Sequence, residues 1–493
     1  MAGNNGSSRE LRVGVVGAGF GGVGIGIRLR QAGYEDFVIF ERGATVGGVW
    51  RANTYPGAAC DVPSHLYSYS FAPGSEWTRR YAPQAEILAY LRGTADRFAV
   101  TPHIRFNTEV TGASFDSDTG RWTLETDDGK KEAFDMLVTA CGQLTRPSIP
   151  TLPGLSDFEG PSFHSAEWDH DVELEGRNVA VVGTGASAIQ FIPEIAPIAG
   201  RTTIYQRSAP WILAKSDRTY GDWERRLFER FPIRVAAARA GLFSMFELLA
   251  HGLTDTPSLL PLIRGMANRE RDKQLGNDPE LLAKATPDYE IGCKRVLITD
   301  DWYPTLRRDD VELVDAAVER VTPTGVVATD GVERPADAII YGTGFQTHNF
   351  VAPMKIFGLG GRELNEVWAG RAEAYLGTTV SGFPNMFVLY GPNTNHGSGS
   401  VPYTLECQFN YVIDAVDRLR RGGYRWIDLR PETQERWRRE MEERSRDTVW
   451  STGGCHNWYV NERGENTNNW PGAWLEFRRR TRRIKPGDYR VAV

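Results

Sequence analysis

Two glycine-rich turns, Gly17-Ala18-Gly19-Phe20-Gly21-Gly22 and Gly183-Thr184-Gly185-Ala186-Ser187-Ala188, set the strongest limit on how this chain folds. Each follows a short apolar run, Val13 to Val16 and Val179 to Val182. Each precedes an amphipathic stretch and then a second apolar run, Phe37 to Phe40 and Thr203 to Tyr205. Strand, tight turn, helix and parallel strand make one right-handed unit, so two copies call for two parallel sheets with helices packed on them. At 493 residues the chain also exceeds what one core holds. The expected fold class is therefore α/β, with two Rossmann-like dinucleotide-binding domains.

The turns carry chemistry as well as shape. Gly17 permits the tight turn, Gly19 lets the backbone approach a pyrophosphate, and Gly22 lets helix and strand pack closely. The helix start adds free N–H groups and the positive end of a dipole. Glu41 closes the first unit, where a carboxylate accepts ribose hydroxyls. The second unit places Gly183, Gly185 and Ser187 in its turn but ends in Gln206-Arg207-Ser208. There a 2'-hydroxyl loses its acceptor while a 2'-phosphate gains a cation and a hydroxyl donor, which favours NADPH over NADH. Two nucleotide sites of different polarity imply a flavoprotein reduced by NADPH. Spacing alone does not separate FAD from NAD at the first site.

Composition narrows the class further. A content of 41% hydrophobic and 24% charged residues suits filled cores, and a net charge of -6 argues against nucleic acid as a partner. No apolar run approaches the ~20 residues of a bilayer helix, so no integral membrane segment is expected. The opening MAGNNGSSREL is polar and reads as a disordered leader, which points to the cytoplasm. The five cysteines, Cys60, Cys141, Cys293, Cys407 and Cys455, are widely spaced with no C-x-x-C pair. Their spacing gives little support to a disulfide framework, a zinc site or a dithiol redox centre.

Between the two units lies Gly47-Gly48-Val49-Trp50, then Tyr55-Pro56-Gly57, then Asp61. Ahead of the second lies Phe158-Glu159-Gly160, then His164, then Trp168-Asp169. The first string resembles the active-site motif of type I (class B flavoprotein) Baeyer-Villiger monooxygenases and the second resembles their fingerprint, with Asp169 where many members carry proline. The likeness spans nearly the whole chain. Ile291-Gly292-Cys293-Lys294-Arg295 resembles the family's active-site arginine segment, and the run from Asp337 to Phe345 resembles the return strand that closes the FAD domain. Gly391-Pro392-Asn393-Thr394 resembles a loop near the flavin ring, and Trp458-Tyr459 a C-terminal aromatic pair near nicotinamide and substrate.

The resemblance implies FAD, NADPH, dioxygen and a small-molecule ketone, joined through a flavin peroxide and a Criegee intermediate to give an ester or lactone. A nucleophilic peroxide needs a cation that keeps its charge, which suits Arg295 better than a lysine. Asp61 is then expected to hold and orient Arg295. Lys294 is expected to add a second cation for the NADPH phosphate, and Trp50 to pack against the flavin or within a plain core. His164 reads as a hinge or cofactor-positioning residue. The alternative reading is a flavin monooxygenase that oxidises nitrogen or sulfur of a small molecule.

A discontinuous FAD-binding domain is expected from residues 1–150 and 336–493, around an NADPH-binding domain at 151–335. Pro147, Pro150 and Pro153, and the region of Pro335, are the expected linkers, which makes a hinge between the two domains. Helical periodicity over 220–284 marks a helical insert. Its apolar residues, Trp223 and Phe231 among them, suit a core-facing stripe, a substrate entrance or contact with a membrane surface. The ketone and the oligomeric state are left open.

Overall fold

The computed structural model describes residues 10–254 and 259–493. The expected leader lies outside the described residues over 1–9, as does 255–258 within the helical stretch. In chain order the two main sheets are built from β1 (Val13–Val16), β2 (Phe37–Phe40), β3 (Ile104–Arg105), β4 (Met136–Thr139), β5 (Ser162–His164), β6 (Asn178–Val182), β7 (Arg201–Tyr205), β8 (Val311–Val314), β9 (Ala338–Tyr341) and β10 (Met386–Val388). The first sheet runs β10-β4-β1-β2-β3 and the second β8-β7-β6-β9-β5. Every pairing in both is parallel. Val13, Val15, Ile39 and Val138 are fully buried in the first sheet and Val181, Ile204 and Ile340 in the second. Parallel strands covered on both faces read as continuous apolar runs, which is how they appear in the sequence.

The turn after β1 leads into α1 (Phe20–Gln31), and the turn after β6 leads into α2 (Ala188–Ile195). Both turns are backed by the strand beside them. A Cβ on Gly17 would stand 2.6 Å from the carbonyl oxygen of Ala140, just past β4, and one on Gly183 would stand 2.6 Å from that of Gly342, just past β9.

That symmetry corrects one expectation. β9 does not close the first sheet; it pairs with β6 from Ala338↔Val179 to Tyr341↔Val182 and with β5 on its other side. All four of its residues are buried, so its composition suits the middle of either sheet, and only the partner distinguishes them. Residues 336–341 therefore go with the second sheet. Pro335 ends the strand Glu333–Pro335 in a three-stranded meander and is not a linker. The chain crosses between the sheets at 146–148 and 344–346, where the two crossings run side by side: the Ser148 N–H donates to the Gly344 oxygen and the Gln346 N–H to the Arg146 oxygen, both at 2.9 Å.

Over 220–284 the described residues form α3 (Asp222–Arg230), α4 (Pro232–Thr254), α5 (Leu260–Leu275) and α6 (Pro279–Lys284). Later, α7 (Val401–Gly422) lies against α1, with Phe409 so close to Gly24 that a Cβ there would overlap its ring. A last helix, α8 (Trp474–Arg480), packs on α4 and α7. No helix among the described residues is long and apolar enough to cross a membrane.

Candidate active site

The first turn forms a cradle that side chains would fill. Gly17 has φ +102°, and a Cβ on Gly22 would overlap the Gly17 carbonyl oxygen. Gly19 faces Gly48, itself at φ +55°, with only 3.5 Å between a Cβ on Gly19 and the Gly48 Cα. The Gly47-Gly48 segment thus lies directly over the pyrophosphate-type turn. Gly19 starts α1 without a side-chain cap, so the first N–H groups of the helix face this cradle unsatisfied by any side chain. Glu41 sits beside it at the end of β2, as the sequence implies. Its Oε2 accepts the Ala18 N–H at 2.8 Å, and its Oε1 accepts the Gly43 N–H at 2.8 Å and Arg51 Nη1 at 2.9 Å. A carboxylate offers about four acceptor positions, so one is left for a ribose hydroxyl. The residues present fit an FAD-type dinucleotide.

The second turn repeats the design at Gly183, φ +106°, and Gly185, with Ser187 at the start of α2 also lacking a side-chain cap bond. Beyond β7, Arg207 and Ser208 meet Lys294 from a distant loop: Lys294 Nζ donates to Ser208 Oγ at 2.5 Å. Burial, and then the nearby Arg207 charge, push the Lys294 pKa below the ordinary lysine value. Two neighbouring cations held at a cost, with a hydroxyl on one of them, suit a dianionic phosphate. Lys294 also lies 4.5 Å from the centroid of the Tyr289 ring. The set fits the 2'-phosphate of NADPH.

Between the two cradles, Arg295 donates through Nε to Asp61 Oδ2 at 2.8 Å, and its Nη2 lies 2.7 Å from the same oxygen. The Asp61 charge raises the Arg295 pKa against the opposing effect of burial. Among the described residues Nη1 has no hydrogen-bond partner and remains a free donor. Asp61 is brought here by the segment before it. Tyr55 Oη donates to Gln190 Oε1 at 3.0 Å, and Gln190 Nε2 donates to the Ala59 oxygen at 3.1 Å, which docks 55–61 on α2 of the second unit. Gly57, at φ +76°, lies against the Gln190 carbonyl, where a Cβ would stand 2.7 Å from the oxygen.

The other expected residues are spread around this centre. Trp50, in the short helix Val49–Ala52, donates Nε1 to Tyr67 Oη at 3.1 Å. Trp458 is half-buried against Tyr459, ring centroids 4.5 Å apart. Asn393 spends its amide on the Asn466 and Asn469 carbonyls at 2.9 and 3.1 Å, clasping the loop after Trp458. His164, at the end of β5, accepts the Ala166 N–H at 3.1 Å and lies edge-on to Phe345 of the crossing, and burial lowers its pKa.

The resemblance names Tyr459, but its state in the site, the nearby Tyr390 and a cysteine bridge escape the sequence reading. Tyr459 is fully buried, its hydroxyl has no partner among the described residues, and burial raises its pKa to about 12. Tyr390, in the left-handed region at φ 54°, donates Oη to Asn395 Oδ1 at 3.1 Å. Both tyrosines interact electrostatically with Arg295. The cysteine spacing offers no disulfide, whereas the structure joins Cys293 to Cys455 across 162 residues. Folding brings these two together, and no local pattern signals it. The bridge ties the Lys294-Arg295 loop to the loop that carries Trp458 and Tyr459.

Comparison with known proteins places this architecture. Residues 10–244 match the family model of flavin-binding monooxygenase-like proteins. Over 98% of its length the chain is 44% identical to a Baeyer-Villiger monooxygenase of Streptomyces coelicolor, covering 93% of that protein. A solved oxidized steroid monooxygenase bound to NADP superposes with a TM-score of 0.86 at 32% identity, covering 98% of this chain and 99% of that one. A solved complex of OTEMO with FAD and NADP gives 0.87 at 26% identity, covering 99% and 100%. The mixed α/β fold, the two glycine turns and near full-length identity agree: the chain belongs to the Baeyer-Villiger monooxygenase family.

Proposed function

We propose that this NADPH-dependent flavin monooxygenase inserts one atom of dioxygen beside a ketone carbonyl to give an ester or lactone. When bound, NADPH supplies a hydride and FAD relays its electrons to dioxygen. In this reading the Gly17-to-Gly22 turn, Glu41 and Trp50 hold FAD, and Gly183, Gly185, Ser187, Arg207, Ser208 and Lys294 hold NADPH. The domain that binds FAD is discontinuous around the one that binds NADPH. The pair Arg295 and Asp61 carries the proposal.

Arginine keeps its proton at any physiological pH, so Arg295 stays a fixed positive charge beside any anionic oxygen formed next to it. Asp61 takes up Nε and Nη2 and leaves Nη1 to face the reacting centre. Holding both partners in a partly buried site fixes their geometry before substrate arrives. Tyr459, with a high pKa and an unpartnered hydroxyl, keeps its proton and offers it as a neutral donor. Asn393 and Trp458 shape the far wall through the C-terminal loop. The paired crossings at 146–148 and 344–346, with His164 packed on Phe345, are the hinge on which the NADPH-binding domain turns. A cytoplasmic location and a small ketone, with no nucleic acid, complete the reading.

The test is incubation of the purified yellow protein with NADPH, isotopically heavy dioxygen, and a panel of cyclic, linear and aryl ketones plus a thioether. Mass spectrometry should find an ester or lactone with one heavy oxygen. Sulfoxide alone, or NADPH consumed only to hydrogen peroxide, would overturn the ketone reading.

A further inference from the structure

Helix α4 breaks the rule for surface helices. Its exposed face from Ile233 to Leu248 presents Ile233, Ala237, Gly241, Ser244, Met245 and Leu248, with Arg234 as its one exposed charge. A surface helix ordinarily turns charged residues outward and hides its apolar stripe. Here the opposite stripe is also apolar, with Phe243 and Phe246 packed on Trp474 of α8. Ile233 is 74% and Leu248 61% exposed, so nothing among the described residues covers them.

The apolar strip continues onto α8. The Glu247 carboxylate accepts the N–H groups of Trp474 and Leu475, at 2.8 and 3.2 Å, which holds the start of α8 against α4; Leu475 is itself 53% exposed. Leu475 shares one face of α8 with Arg478 and Arg479 by three- and four-residue spacing, and Arg482 follows in the turn after the helix. These arginines and Arg483 line an open groove of about 620 Å³ against α7. None of the four has a carboxylate partner among the described residues, and the groove's acids are already engaged, Asp414 by Arg418 and Asp417 by Arg421. At the other end of the strip stand Trp223, 68% exposed, and Arg226 and Arg230 of α3, which have no carboxylate partner among the described residues, together with Asp222 and Glu229.

We propose that this face, the outer side of α4 with Leu475 and the Arg478-to-Arg483 groove, docks on an anionic lipid surface. Charge complementarity selects that occupant: an apolar strip of about 22 Å, from 1.5 Å per residue, flanked by unpaired arginines, matches acyl chains bordered by phosphate headgroups. No described helix crosses a bilayer, so contact is peripheral and reversible. The chemistry at Arg295 plays no part in it.

The test is co-sedimentation of the holoenzyme with large vesicles of phosphatidylcholine, with and without phosphatidylglycerol, at low and high salt. The protein should pellet with the anionic vesicles at low salt and be released by high salt. Each arginine removed should weaken binding about fivefold. The exposed variants Arg479→Gln with Arg482→Gln, and Leu248→Glu, should both lose pelleting while retaining bound flavin. Failure to pellet, equal pelleting with neutral vesicles, or undiminished binding by both variants overturns the proposal. So does a dimer in solution that Leu248→Glu dissociates, because a second copy would then cover this face.

Discussion

Asp61 receives Nε and Nη2 of Arg295 on a single carboxylate oxygen, across 234 residues of chain. In the proposed function the free Nη1 is what the site gains from this arrangement, and the charge on Arg295 is what it requires. Arg295→Ala should leave flavin reduction by NADPH within a few-fold of normal and lower ester formation by at least about 100-fold, the usual loss when a fixed electrostatic donor is removed. Stopped-flow reduction and product analysis separate the two steps. Normal ester yield from this variant would remove Arg295 from the chemistry.

In the proposed function Arg207, Ser208 and Lys294 read the NADPH phosphate together. Arg207→Ala should raise the KM for NADPH by about 10- to 100-fold, the loss expected for one charge-assisted contact, and barely change that for NADH. An equal effect on both cofactors would mean the phosphate is recognised elsewhere.

Lys294 adds a pH dependence. In the proposed reading its protonated form binds phosphate, and burial beside Arg207 lowers its pKa, so the free enzyme loses this cation at a lower pH than an ordinary lysine would. The KM for NADPH should therefore climb with rising pH, beginning below the range where an ordinary lysine titrates, while the KM for NADH stays flat. Lys294→Met should start high and lose the pH dependence. A parallel pH profile for both cofactors in the native enzyme would contradict this assignment.

How far the sequence reveals these features depends on the range of the interaction that creates them. Gly17, Gly22 and Gly183 are legible because a positive φ or a missing Cβ is a local demand, and Glu41 and Arg207 because each ends the strand after its own turn. Asp61 and Arg295 are legible only through family likeness; nothing near either residue shows that they meet. β9 is misassigned because a strand buried on both faces has the same composition in either sheet. The Cys293–Cys455 bridge and the docking of Tyr55 on Gln190 arise between segments that only the finished fold brings together.

The bridge carries its own prediction. It ties the Lys294-Arg295 loop to the Trp458-Tyr459 loop, so Cys455→Ser should loosen both. Stability should fall by about 2–4 kcal/mol, and the KM for NADPH should rise while flavin content holds. Melting curves with and without a dithiol reductant give an independent check. Identical curves, with free thiols at both cysteines, would show that the bridge is absent in solution.

Gly57 tests whether docking on α2 aims Asp61 at Arg295. A side chain there is opposed twice, by φ +76° and by the Gln190 carbonyl oxygen 2.7 Å from the Cβ position. Gly57→Ala should cost about 1–3 kcal/mol in backbone strain and push residues 55–61 off the helix, turning Asp61 away from Arg295. The added Cβ meets Gln190 and Glu194 of α2 rather than the glycine turns themselves, so flavin reduction should largely persist. The ratio of ester formed to NADPH consumed should fall, with the difference appearing as hydrogen peroxide. Gln190→Leu removes the bonds to Tyr55 and Ala59 without the steric push, and should move the ratio the same way by less. If Gly57→Ala couples NADPH to ester as tightly as the native enzyme, Asp61 is positioned by its immediate neighbours and the contact with α2 serves only to join the domains.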